Sequence, residues 1–229
     1  MRCEWLCDVL EAAGLPIIPL EGWAGRGRDM ACVSAVVLHH TATPPRAEDG
    51  TVAKLLKEGR PDLSGPLCQL GLDRRGRYWV IAAGKGNHNI GTYGNNTIGI
   101  EAFNDGIGEA WPAVQIDAFV RGTAAVLAHC NLPAARAVGH RETDPGRKSD
   151  PKGIDLSAFR RRVDDYLRAE DDVTPEQNEW LGTIHHEMRA EGARLDRVES
   201  LAANALVQAT EANKKLDEIL ALADRLLPS

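Results

Sequence analysis

The sequence predicts an α/β fold, a central mixed β-sheet flanked by helices, followed by a C-terminal α-helical coiled-coil segment. Three observations predict it. The run at 33–38 (Val-Ser-Ala-Val-Val-Leu), dominated by β-branched residues, reads as a buried strand, and 97–103 and 137–139 read as further strands. Between them lie stretches whose apolar residues recur at helical spacing. From residue 181 onward apolar positions alternate three and four apart, the seam of a coiled coil.

The elements follow in chain order. Residues 2–13 predict a short amphipathic helix, stopped by Gly14 and Pro16. A Gly-rich segment, 21–28, leads to the strand at 33–38, which runs directly into His39-His40-Thr41. A loop at 44–50 precedes a helix at 51–58. Residues 68–72 and 78–82 predict two strands joined through Asp73-Arg74-Arg75-Gly76, a hairpin turn with Gly at its end. The Gly- and Asn-rich stretch 84–96 is loop. Within 114–129, Ile116, Phe119, Val120, Ala124 and Leu127 mark one helical face. Asp155 caps a helix through Arg168, with Leu156, Phe159, Val163 and Tyr166 facing inward.

The body is residues 1–170, with 1–30 as a helix-and-loop extension at its N-terminal end. A charged, Pro-closed linker occupies 171–178. The tail, 179–229, carries the heptads of 181–226, broken in polarity only by Glu191. A continuous helix of ~48 residues would be ~70 Å long at 1.5 Å per residue. One apolar stripe of that length predicts a partner, and a homo-oligomer is the expectation. The tail folding back as a helical hairpin is the alternative.

Bulk properties exclude several classes. The net charge of −6 sits in the tail and leaves a neutral body, so there is no electrostatic case for nucleic acid. No run of about 18 apolar residues exists, so no membrane insertion is expected. Residues 1–20 carry Glu4, Asp8 and Glu11 inside their apolar run, which is unlike a signal peptide and predicts a chain first held in a cytoplasm. Five cysteines, odd in number and without a Cys-x-x-Cys pair, predict free and mostly buried thiols.

Histidines locate the chemistry. His39 and His140 each stand where a strand ends, and strand ends at one sheet edge are rigid enough to converge on a metal. After His140, the Pro145-Gly146 turn can bring Asp150 back toward it, with Glu142 and Asp144 as competing carboxylates. Two imidazoles and one carboxylate leave a fourth position for water, the pattern of catalytic rather than structural zinc.

Three separated motifs carry a resemblance. They are His-His-Thr-Ala (39–42), Asn-Thr-Ile-Gly-Ile-Glu (96–101) and Gly-His-Arg-Glu-Thr-Asp-Pro-Gly-Arg-Lys-Ser-Asp-Pro (139–151). Over residues 30–168 the chain resembles the type 2 N-acetylmuramoyl-L-alanine amidases. These share a fold with peptidoglycan recognition proteins and include phage endolysins. The resemblance implies one catalytic Zn2+ held by His39, His140 and Asp150. It implies Lys148 facing the substrate carbonyl and Glu101 as the base. His88 matches a substrate-contacting histidine, and His40, Thr41 and Asn89 are the further expected substrate contacts. The chain departs from relatives that place a catalytic tyrosine in the strand after the first loop. Cys68 and its neighbours stand there, which shifts the expectation to Glu101, with Tyr93 as the one nearby tyrosine.

The function so implied is hydrolysis of the amide between N-acetylmuramic acid and L-alanine of peptidoglycan. The expected setting is a phage endolysin held in the host cytoplasm until its release to the cell wall. The alternatives are a cytoplasmic muropeptide-recycling amidase and a non-catalytic peptidoglycan-binding protein.

Overall fold

The computed structural model describes residues 1–171 and six isolated helical positions between Arg194 and Lys215. The rest of the expected linker at 171–178 and of the heptads at 181–226 lies outside the described residues.

Helix α1, Leu6–Ala12, is shorter than the sequence pattern suggests. The residues before it are used otherwise: the Cys3 N–H donates to Ala83 O and the Met30 N–H to Met1 O, which pins the first residues as extended chain. Strand β1, Ile17–Pro19, follows, a short edge strand the sequence pattern did not reveal. Strand β2 is Val36–His40 and helix α2 is Asp49–Glu58. A two-stranded hairpin, β3 Gly59–Arg60 and β4 Leu63–Ser64, was also not foreseen. Strands β5, Leu70–Leu72, and β6, Tyr78–Val80, form the expected antiparallel hairpin. Its turn is closed by Asp73 Oδ1, which accepts from the Arg75 and Arg77 N–H groups, and by Gly76 at φ +80°. Then come β7, Ile98–Ala102, α3, Ala113–His129, β8, Ala137–Gly139, the single turn α4, His140–Thr143, and α5, Leu156–Asp171.

The main sheet has the order β1-β6-β5-β7-β2-β8. Only the β5–β6 pair is antiparallel, so the sheet is mixed. Alternation along the strands gives it two unlike faces. Val36, Leu38, Ile98, Ile100, Leu70 and Tyr78 point to one side and pack with Leu6, Phe119 and Phe159 of α1, α3 and α5. Each such fully buried apolar side chain contributes about 1.5–3 kcal/mol. Gly122 in α3 is required by this packing: a Cβ there would stand 2.2 Å from the Tyr78 hydroxyl, which donates to Ala118 O. A smaller cluster under α2 joins Val52 and Leu56 to Phe103 and Ile81.

In α5 the inward face is Leu156, Phe159 and Val163. Tyr166 is exposed instead, its hydroxyl turned toward Asp117 at 3.5 Å, and Leu167 packs against the core. From Val163 the helix reaches the core again after four residues, not three. No helix among the described residues is long and apolar enough to cross a membrane.

Candidate functional site

Parallel pairing builds the site. In the β2–β7 register His39 stands opposite Glu101, one step beyond the Leu38–Ile100 core pair. On the other side Leu38 pairs with Gly139, so His140 follows at the same level as His39. Three neighbouring parallel strands therefore deliver Glu101, His39 and His140 in a row at their carboxyl ends, where α/β sheets characteristically bind ligands. Because side chains alternate, the residues that follow the core-facing Leu38 and Ile100 point away from the core.

Asp150 returns to this row on a loop. Its own carbonyl accepts from the Arg141 N–H at 2.8 Å, and the Arg141 guanidinium donates to Pro151 O and Ile154 O. Gly146, at φ +85°, makes the reversal. The two competing carboxylates are engaged elsewhere. Glu142 accepts from the Gly139 N–H and from Arg160, and Asp144 accepts from Arg147.

Asp150 Oδ2 lies 3.0 Å from His39 Nδ1 and 3.1 Å from His140 Nδ1. The three candidate ligand atoms all fall within 4.8 Å of one another. Four ligands at 2.0–2.1 Å in a tetrahedron stand about 3.3 Å apart, so this donor set and spacing fit zinc. Both imidazoles are almost wholly buried, at 1% and 3% exposure, and His140 Nε2 has no hydrogen-bond partner. Burial pulls His39 down to about 4 against the opposing pull of Asp150, so its imidazole is neutral, the form that ligates. Burial also opposes ionisation of Asp150. The close approach of the His140 and His39 rings outweighs it and holds that carboxyl well below the usual range.

Glu101 sits beside this triad. Its Oε1 is 3.9 Å from His39 Nδ1, and its Oε2 is buried with no partner. Burial first, then the negative charge of Asp150, raises its carboxyl to about 8, with Lys148 opposing. All five residues line one cleft of about 590 Å³.

The chain's matches to known proteins agree with this geometry. The family model for N-acetylmuramoyl-L-alanine amidase matches residues 28–153, more than half of the chain. The chain belongs to that amidase family. No curated protein sequence matches it. Among solved structures, an endolysin N-acetylmuramoyl-L-alanine amidase from Clostridium intestinale is 14% identical, with a TM-score of 0.52 over 65% of this chain and 96% of that one. A mutant endolysin from Bacillus subtilis is 18% identical, with a TM-score of 0.51 over 65% and 99%. A selenomethionine AmpD derivative is 20% identical, with a TM-score of 0.50 over 66% and 95%. At these identities the likeness is one of fold.

Around the amidase cleft stand the expected substrate contacts. His40 and Thr41 line the cleft. The His40 ring lies over Gly106, and its Nδ1 accepts from the Lys152 N–H at 3.1 Å. Thr41 Oγ1 is 2.7 Å from Thr43 Oγ1. Asn89 and His88 line the same cleft, and both are also held by hydrogen bonds of their own. The Asn89 amide donates to Thr92 O and Gly94 O, and its carbonyl accepts from the Gly91 N–H and the Thr143 hydroxyl, so it organises the loop at the cleft wall. His88 is 8% exposed and has both ring nitrogens engaged, one of them 3.1 Å from His39 Nε2.

No tyrosine stands at the cleft. Of the chain's three, Tyr93 lies under the Arg136 guanidinium at 5.2 Å. Cys68 is fully buried, and burial pushes its thiol well up. Of the thiols expected to be mostly buried, Cys3 and Cys68 are buried and Cys32 is exposed; all five are free. Sequence reasoning missed Arg60 and Arg147, which bring cationic side chains to the cleft mouth. The turn residues Gly-Arg-Pro-Asp at 59–62 could have marked the hairpin carrying Arg60, but its place against the cleft depends on tertiary packing.

Proposed function

We propose that this chain is a zinc-dependent N-acetylmuramoyl-L-alanine amidase that cleaves the bond between N-acetylmuramic acid and L-alanine in intact peptidoglycan. The observation that carries the reading is the convergence of His39 Nδ1, His140 Nδ1 and Asp150 Oδ2, with Glu101 next to them by strand register. His39, His140 and Asp150 would hold zinc, which would supply Lewis acidity and a positive field at that point and would lower the Glu101 carboxyl again.

The remaining work falls to the chain's own groups. Glu101 Oε2, buried and without a partner, takes the proton of the attacking water and returns it to the departing amine nitrogen. Lys148 sets a positive charge near Glu101 and the triad, where it faces the carbonyl oxygen as negative charge develops. The products are a glycan strand bearing a free lactyl carboxylate and a stem peptide with a free amino end.

The biological reading is a phage endolysin that waits in the host cytoplasm and acts at the wall after release. The heptads at 181–226 join copies of the chain, so that several catalytic heads engage one polymeric wall with avidity. Digestion of purified peptidoglycan, with mass analysis of the products and a chelator-treated control, tests the reaction. Chelator-sensitive release of stem peptides from intact wall is expected. Cleavage of soluble fragments alone points instead to a recycling amidase, and binding without cleavage to a recognition protein.

A further inference from the structure

We infer that His88 is a positioning residue that fixes the tautomer of His39 and so aims the His39 Nδ1 lone pair at the metal site. The inference rests on the zinc reading above, and it follows from counting protons along a chain of hydrogen bonds that begins at a backbone carbonyl.

Thr97 O can only accept. It lies 3.2 Å from His88 Nε2, so that nitrogen carries a proton. The Thr97 hydroxyl reinforces this, because its own proton goes to Gly94 O and its oxygen stands 3.4 Å from the same His88 Nε2 as a second acceptor. His88 is buried, and an imidazolium there would lose most of its hydration with no carboxylate in contact, so the ring is neutral. A neutral ring protonated at Nε2 has a bare Nδ1. That Nδ1 is 3.1 Å from His39 Nε2, which must therefore be the donor. His39, neutral in turn, then has its lone pair on Nδ1. Nδ1 is the atom 3.0 Å from Asp150 Oδ2.

The end of the relay is thus a lone pair facing a carboxylate oxygen. Two acceptors at that distance repel unless a cation stands between them, and a bare Nδ1 is what zinc coordination needs. The opposite tautomer of His88 would set two donors against each other or leave a lone pair on the Thr97 carbonyl. The sheet makes room for the device. A Cβ on Gly99 of β7 would lie 2.7 Å from His88 Cγ, so the ring occupies the space an ordinary strand residue would fill. The two rings meet edge to face, with centroids 5.2 Å apart at 90°.

The test is zinc affinity by chelator competition on the full chain, for wild type, His88→Phe and His88→Asn. It is joined by long-range proton–nitrogen spectra of the zinc-loaded wild type. Phe keeps the ring volume without an acceptor, and Asn restores an acceptor at the Nδ1 position. The expected result is a loss of about 10–100-fold in zinc affinity for His88→Phe, the usual cost of removing such a partner. Substantial recovery in His88→Asn is expected, with His88 protonated at Nε2 in the spectra. Native affinity in the Phe variant, an Asn variant as weak as the Phe variant, or a His88 proton on Nδ1 would each overturn the inference. Wild type that binds no zinc would instead overturn the underlying reading of the site.

Discussion

Glu101 and His39 are register partners on adjacent parallel strands, and the Glu101 Oε1 to His39 Nδ1 distance of 3.9 Å follows from that pairing. The proposed base and the first proposed metal ligand are thus fixed relative to one another by sheet hydrogen bonds rather than by loops. Preorganisation on strands keeps reacting groups in place without an ordering cost at the moment of reaction.

Glu101→Gln separates proton transfer from metal binding. The variant keeps the volume and the buried position, and Glu101 is not among the three convergent ligand atoms. Zinc content should stay near one per chain while turnover on peptidoglycan falls about 10²–10⁴-fold, the usual contribution of general base catalysis. Near-normal cleavage by that variant would remove Glu101 from the mechanism.

Lys148→Met tests the oxyanion role. The side chain keeps its length and loses its charge beside the triad. A fall of about 10²–10³-fold in kcat, with KM and zinc affinity little changed, is expected of a lost transition-state contact. A change confined to KM would assign Lys148 to substrate binding alone.

Legibility in the sequence followed how local each signal was. His39 and His140 were readable because a short predicted strand ran into each, and those two strands lie side by side. The antiparallel β5–β6 hairpin was readable from Asp73 and Gly76, whose turn chemistry is local. Strand β1 was not, because three residues at a sheet edge carry no periodicity. The burial of His88 was not legible, because the Gly- and Asn-rich stretch around it reads as loop. What buries it is Gly99, eleven positions away and on a strand whose register no local pattern reveals. Tyr166 failed for a simpler reason: a continuing helix brings Leu167, not Tyr166, back to the core.

The tail predicts a change of mass. Whole chain and residues 1–170 should sediment differently, the first as an oligomer and the second as a monomer, because the heptads of 181–226 lie outside the shorter chain. Two monomers would remove the coiled-coil assembly and with it the avidity argument.

The metal-free protein should be most stable at mildly acidic pH, and the limbs on either side have separate owners. His39 has its folded value lowered by burial to about 4 from 6.5, so the unfolded chain binds more protons between those values. Its contribution is therefore present above pH 6.5 and lost as pH falls toward 4. Glu101 has its folded value raised by burial to about 8 from 4.5, so here the folded chain binds more protons. Its contribution is present below pH 4.5 and lost as pH rises toward 8. Melting temperatures recorded in chelator from pH 4 to 9 should therefore fall on both sides of a mildly acidic maximum. Glu101→Gln should flatten only the alkaline limb, since its amide does not titrate. An alkaline limb unchanged in that variant would show that Glu101 does not hold the raised carboxyl assigned to it.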